Sequence, residues 1–146
     1  MSRRTGLHFS RTAKLLLALV LLTSLGTGAG WYYLHRWGQV ENEWGDMGPH
    51  PWQPTLIKIH AASAFLAMIG FGFLLARHLP PAWRTHRQRL SGLPLVALVV
   101  TMIVTGYGLF YSGEELRPLL ADVHLYTGLS LPVILVVHIW KRTRSA

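Results

Sequence analysis

The 146-residue sequence predicts an all-α integral membrane protein, a four-helix bundle with both termini in the cytoplasm. Two observations lead to this fold class. Hydrophobic residues make up 51% of the chain and gather in long runs, while charged residues make up 14%, against about 25% in soluble domains. The basic residues also lie almost entirely on one side of those runs. We expect one membrane domain over residues 1–146, with helices at about 13–35, 55–79, 91–112 and 118–141.

Each apolar run is long enough to cross the hydrocarbon core, which takes about 20 residues of α-helix. None of the runs carries a charge near its middle. Strands of a membrane barrel would instead alternate apolar and polar residues over about ten positions. The runs are Leu15 to Leu34, Leu56 to Leu79, Leu93 to Tyr111 and Leu119 to Trp140.

The first run has a second interpretation, that of a cleaved signal peptide. A basic start, an apolar stretch and the small residues at 26–30 are typical of such a segment. Cleavage would leave three helices. Trp31, Tyr32 and Tyr33 follow at once, however, and resemble the aromatic belt of a membrane interface. We therefore favour a retained first helix.

The charges predict the orientation, because a Lys/Arg excess marks the cytoplasmic side. Of the 14 basic residues, 11 fall on the side of the two termini, and all six acids fall on the other side. This topology accounts for the net charge of +8 without nucleic-acid binding. The acids are Glu41, Glu43, Asp46, Glu114, Glu115 and Asp122.

Two loops lie on the acidic, external side. Residues 35–54 form a loop rich in Trp, Gly and Pro, and that composition predicts irregular structure. The loop from Ser112 to Pro118 is short. Pro118 suits the first turn of the fourth helix, where the missing N–H costs nothing.

Histidines within the apolar runs are the strongest functional signal, because ionisable groups inside a bilayer are costly and usually have a task. Four of the eight histidines lie there: His60 and His78 in the second run, His124 and His138 in the fourth. His60 and His78 are 18 residues apart, about five whole turns and about 27 Å. His124 and His138 are 14 residues apart, about 40° short of four turns and about 21 Å. Each pair therefore shares a helix face, with one member near each membrane surface.

Facing imidazoles at two levels of a helix bundle are suited to ligate haem iron. The chain has no cysteine, so covalent attachment through a Cys-x-x-Cys-His motif is excluded and any haem would be b-type, with one or two bound. Gly106 and Gly108 would let a porphyrin approach the third helix. Pro132 is expected to bend the fourth helix between its two histidines.

The stretch from about His50 to Arg142 resembles the four-helix membrane cytochrome b family, which includes the cytochrome b subunits of membrane hydrogenases and formate dehydrogenases. The shared features are the helix-four histidines with thirteen residues between them, the early His60, and two short motifs around helix three. Those motifs are Arg89-Leu90-Ser91-Gly92 and Val104-Thr105-Gly106-Tyr107-Gly108.

The resemblance implies that His60 and His124 hold an outer haem and that His138 is one ligand of an inner haem. The family takes the last ligand from its first helix, which here has no histidine inside the apolar run. His78 is our choice for that ligand, and His8 is the alternative. Snorkelling toward headgroups remains the other interpretation of His78.

Other polar residues have two interpretations each. Arg89 would pair with an inner haem propionate or simply anchor the cytoplasmic side. His50 would serve a propionate, a quinol site or a partner, or is an ordinary loop residue. We interpret His35 and His86 as surface residues.

The sequence thus predicts a multi-pass b-type cytochrome of the bacterial inner membrane, carrying electrons between the quinone pool and a redox partner on the outer face, as a subunit of an oxidoreductase. Expected partners are membrane lipid, quinone or quinol and that outer protein, with no nucleic acid. Two alternatives stay open. One is a histidine-based metal or proton transporter, although buried carboxylates would then be expected. The other is a haem-free anchor that recruits a partner through its Trp-rich loop.

Overall fold

The structure, a computed structural model, describes residues 10–84 and 89–144. It is helical, and each of its four helices is long and apolar enough to cross a membrane. The predicted all-helical class is confirmed to that extent. Most helix ends extend beyond the predicted limits, because main-chain hydrogen bonding continues into polar residues that flank the apolar runs. The helices are α1 Arg11–Trp37, α2 Gln53–Arg84, α3 Arg89–Tyr111 and α4 Arg117–Arg144.

The chain divides into two compact units. The first, Met1–His78, contains α1 and most of α2. The second, Leu79–Ala146, contains α3 and α4. Each unit is therefore built around one pair of helices.

In the first unit, α1 and α2 pack antiparallel with glycines at their contacts. Gln53, the first residue of α2, donates from Nε2 to the carbonyl of Leu34 near the end of α1, at 3.3 Å. A Cβ at Gly30 would lie 3.6 Å from Leu56 Cδ1, and one at Gly70 would lie 3.3 Å from Leu17 Cδ1. The missing Cβ at these places leaves room for a leucine side chain of the other helix, and small residues are common where membrane helices pack.

In the second unit, α3 and α4 pack antiparallel in the same manner. A Cβ at Gly108 would lie 2.9 Å from Leu120 Cδ1. The hydroxyl oxygen of Thr127 lies 3.2 Å from Met102 Sδ, and a Cβ at the neighbouring Gly128 would lie 3.4 Å from Met102 Cε. Gly108, expected to make room for a porphyrin, thus accommodates a side chain of α4.

The connection between α1 and α2 contains a small hairpin that the sequence interpretation missed. Strands β1, Val40–Glu41, and β2, Met47–Gly48, pair antiparallel, with Val40 opposite Gly48. Asn42 Oδ1 accepts hydrogen bonds from the N–H groups of Trp44 and Asp46, each at 2.9 Å. Gly45 has φ +82°, which favours glycine. Two-residue strands are too short to show an alternating pattern, so composition alone suggested only an irregular loop.

Burial is inverted relative to a water-soluble protein. Within residues 10–77 and 92–140 no hydrophobic side chain is buried, whereas Gln53, Ser63 and Thr105 are buried polar residues. Many large apolar side chains on all four helices are exposed, as expected for surfaces that face lipid rather than water. The buried polar positions are therefore the places where specific interactions concentrate.

Candidate functional site

His60 lies on α2 and packs its imidazole ring directly on α1. Its Nδ1 is 2.8 Å from the carbonyl oxygen of Ser24. A Cβ at Gly28, one turn further along α1, would lie 2.9 Å from His60 Cε1 and 3.0 Å from Nδ1. Only glycine at this position leaves room for the ring where it stands.

The partner of His60 determines its tautomer. A carbonyl oxygen can only accept, so the Nδ1 atom of His60 carries the hydrogen and donates it to Ser24. In a neutral imidazole the lone pair is then on Nε2. Metal-ligating histidines almost always donate their other ring N–H to a carbonyl, carboxylate or water, which fixes the ring for ligation. His60 meets that requirement.

His124 on α4 has an equivalent arrangement with α3. Its Nδ1 is 2.9 Å from the hydroxyl oxygen of Thr105, a residue only 4% exposed. That hydroxyl already donates to the Thr101 carbonyl at 2.7 Å. With the hydroxyl hydrogen on the Thr101 carbonyl, Thr105 accepts Nδ1–H of His124, and the lone pair of the neutral ring is then on Nε2. A Cβ at Gly106 would lie 3.2 Å from His124 Cε1.

His138 also lies against a glycine of α3. A Cβ at Gly92 would lie 3.8 Å from His138 Cε1, an ordinary van der Waals contact. The ring is half-buried. All three histidines with described side chains inside the apolar runs therefore pack on a glycine of the helix before their own.

Several predicted site residues fall elsewhere. His78 and Arg89 belong to α2 and α3, but their side chains lie outside the described residues, as does all of His8. His35 is exposed, in agreement with its interpretation as a surface residue, and its ring stacks on Trp31 with centroids 4.8 Å apart. His50 lines a cleft at the loop end of the first unit.

The sequence interpretation missed the residues that hold the histidines. Gly28 lies among the small residues at 26–30 that resembled a signal-peptide cleavage region, Ser24 lies just before them, and Thr105 lies in a motif quoted only for its resemblance. A usable signal existed, since α1 has a hydroxyl residue one turn before a glycine and α3 has one directly before a glycine. The partner of each, however, is more than 15 residues away, so only the packing identifies it.

Comparison of the chain with protein-family models, with curated proteins and with solved structures gave no match. The geometry of the two helix pairs is therefore the basis for the function inferred below.

Proposed function

We propose that the protein is a membrane b-type cytochrome in which His60 and His124 ligate one haem and His138 supplies a ligand to a second. In this proposal it carries electrons between the quinone pool and a redox partner on the outer face of a bacterial inner membrane, as an oxidoreductase subunit. Haem supplies reversible one-electron chemistry when bound. The chain supplies the ligands, the low-dielectric surroundings and the spacing.

The observation that carries the proposal is the shared state of two imidazoles. His60 donates Nδ1–H to the Ser24 carbonyl, and His124 Nδ1 lies 2.9 Å from the Thr105 hydroxyl, which can accept the same bond. With Nδ1 carrying the hydrogen in both neutral rings, each lone pair is on Nε2, where a histidine can ligate iron while the protein holds its other ring nitrogen.

The positions along the helices support the same pairing. His60 is the eighth residue of α2, and His124 is the eighth residue of α4. Each is therefore about 10 Å from the start of its helix. The positive-inside pattern predicts that both helices begin at the outer face, so we expect both imidazoles near that face. His138, 14 residues later on α4, belongs to the opposite level.

In this proposal, the outer face is the membrane face on which the β1–β2 hairpin lies. Glu41, Glu43 and Asp46 lie there, and the positive-inside pattern predicts the basic termini on the other side. His138 would share its haem with His78 or His8, while Arg89 would either pair with a propionate of that haem or anchor the cytoplasmic side.

The test is a reduced-minus-oxidised visible spectrum of the purified protein, with haem and protein quantified together. We expect a b-type spectrum, and His60→Ala and His124→Ala should each remove the same haem. His35→Ala is the control, because His35 lies outside the apolar run. Full haem content in both variants would refute the ligand assignment.

The second haem is tested with His138→Ala, which should remove it and leave the first. His78→Ala and His8→Ala then identify the fourth ligand, because only the ligand variant should lower the haem content. Absence of haem from the unaltered protein, after expression with ample haem, would refute the cytochrome proposal and favour the transporter or the anchor.

A further inference from the structure

The first unit contains a cleft of about 300 Å³ at the end of α1 and α2 that carries the hairpin. Trp31 of α1 and His50 of the loop line it, together with two prolines of the loop and one in the first turn of α2. Small-molecule pockets run from about 300 to 1,000 Å³, so this cleft is sized for one or two rings and not for a macrocycle.

The aromatic wall of the cleft is held in place before any ligand arrives. The indole of Trp31 stacks on the imidazole of His35 with an interplanar angle of 8°. A flat ligand would gain stacking on a surface that loses little freedom on binding. Three prolines add apolar surface without N–H groups: Pro49, Pro51 and Pro54. Their fixed φ angles limit collapse of the cleft.

One side chain that lines the cleft, His50, carries a hydrogen-bond donor on a defined ring nitrogen. The main-chain N–H of Trp52 donates to His50 Nδ1 at 3.2 Å. Nδ1 therefore holds the lone pair, and the hydrogen of the neutral ring is on Nε2. Gln53, also in the lining, has its amide nitrogen engaged by the Leu34 carbonyl. The cleft thus combines a flat apolar wall with a single imidazole N–H.

The cleft is also adjacent to the His60 site within the same unit. Trp31 follows Gly28 by three residues on α1, and Ile57, another lining residue, precedes His60 by three residues on α2. Both walls are therefore about one helical turn, roughly 5 Å of rise, from the Gly28–His60 contact. A ligand in the cleft would lie close enough to exchange electrons with a cofactor held by His60.

We infer that this cleft binds the head group of a membrane quinone, with a ring stacked on Trp31 and a carbonyl oxygen accepting the Nε2–H of His50. The ligand class rests on the proposed function, because quinones are the lipid-soluble electron carriers that such a protein would meet. The chemistry agrees, since a quinone head group is flat, mostly apolar and carries hydrogen-bond acceptors. The cleft opens at the end of membrane-length helices, so an isoprenoid tail would remain in lipid.

The experiment is photoaffinity labelling of the full-length protein in lipid nanodiscs with a short-tailed azidobenzoquinone, followed by peptide mapping. We expect the label on residues 49–57 or on Trp31, and we expect excess decylubiquinone to remove it. Labelling confined to other segments, or insensitive to the competitor, would overturn the inference.

Two pairs of variants sharpen the result. His50→Asn keeps an acceptor for the main-chain N–H of Trp52, but its amide N–H is too short to reach the position of His50 Nε2. The competitor should therefore bind about three- to tenfold more weakly. His50→Gln, whose amide reaches further, should recover most of that loss. Trp31→Leu should abolish cleft labelling, whereas Trp37→Leu, on the same helix but outside the lining, should not. Unchanged labelling in both His50→Asn and Trp31→Leu would overturn the inference.

Haem content measured on the same samples separates this inference from the cytochrome proposal. Cleft labelling of a protein without haem would leave the quinone site standing and refute the cytochrome. Normal haem content with no cleft labelling would refute the quinone site and leave the cytochrome proposal standing.

Discussion

Thr105 joins two helices through a single hydroxyl group. Its oxygen lies 2.7 Å from the Thr101 carbonyl one turn back on α3 and 2.9 Å from His124 Nδ1 on α4. The first bond is common for threonines in apolar helices, and when it holds the hydroxyl hydrogen, the oxygen accepts Nδ1–H of His124. In the proposed site, Thr105 would thereby leave Nε2 of His124 as the ligating nitrogen.

Replacing Thr105 with Val keeps the shape of the side chain and removes the acceptor for His124 Nδ1–H. We expect haem affinity at the His60/His124 site to fall by about 10- to 100-fold, because an outer-shell partner of a metal ligand is lost. Titration of the haem-depleted protein with haem measures this effect.

Thr101→Val is the matched control, because that hydroxyl donates only to the Ala97 carbonyl among the hydrogen bonds described for it. Its main-chain carbonyl remains available to Thr105. Equal haem affinities for the two variants would mean that the Thr105–His124 bond has no role in ligation.

At the scale of elements, the helices were predicted from the sequence, whereas the contacts between them were not. Length and hydropathy predicted all four helices, because spanning hydrocarbon requires a run of apolar residues that is visible in any sequence. They also singled out His60, His124 and His138. The oxygen atoms and glycines that position these rings were not predicted, because contacts between α1 and α2 or between α3 and α4 depend on how the helices pack. Val40–Glu41 and Met47–Gly48 were missed because two residues carry no period.

The packing of α1 on α2 makes Gly28 more sensitive than its neighbours. Gly28→Ala places a methyl group 2.9 Å from His60 Cε1, so the ring must leave the position fixed by Ser24. We expect at least about tenfold weaker haem binding at this site, measured by the same titration.

Gly26→Ala is a close control, because a Cβ there has nothing within 4 Å. Both substitutions raise helix propensity equally, so that contribution cancels in the comparison. If the two variants bound haem alike, the Gly28–His60 contact would not matter for the site.

The hairpin gives a second prediction at this scale. Gly45→Ala forces a residue with a Cβ into φ +82°, at a cost of about 1 kcal/mol. Exchange of the Asn42 amide, which donates to the Asp46 carbonyl, should become about fivefold faster when followed by hydrogen–deuterium exchange. Gly48→Ala should change little, because its Cβ would meet only the Val40 oxygen at 3.9 Å. Equal exchange in both variants would contradict this account of Gly45.

At the scale of the whole molecule, the distribution of charge predicts the topology. The chain has no cysteine, so single cysteines can be introduced without background. Glu43→Cys and Gly113→Cys should react with a membrane-impermeant maleimide in intact spheroplasts. Thr143→Cys should react only after permeabilisation, because the basic termini are expected in the cytoplasm. The opposite pattern would invert the outer and inner faces used in the proposed function.

The inverted burial also bears on how the protein responds to temperature. The curvature of a stability curve comes from the heat capacity of apolar surface that meets water on unfolding. Within residues 10–77 and 92–140 no apolar side chain is buried by the chain itself. In a membrane, lipid would cover that surface both before and after the helices separate. Helix separation should therefore have a small heat-capacity change and a nearly straight dependence of free energy on temperature. Cold denaturation, which follows from this curvature in many water-soluble proteins, is therefore not expected for helix separation here.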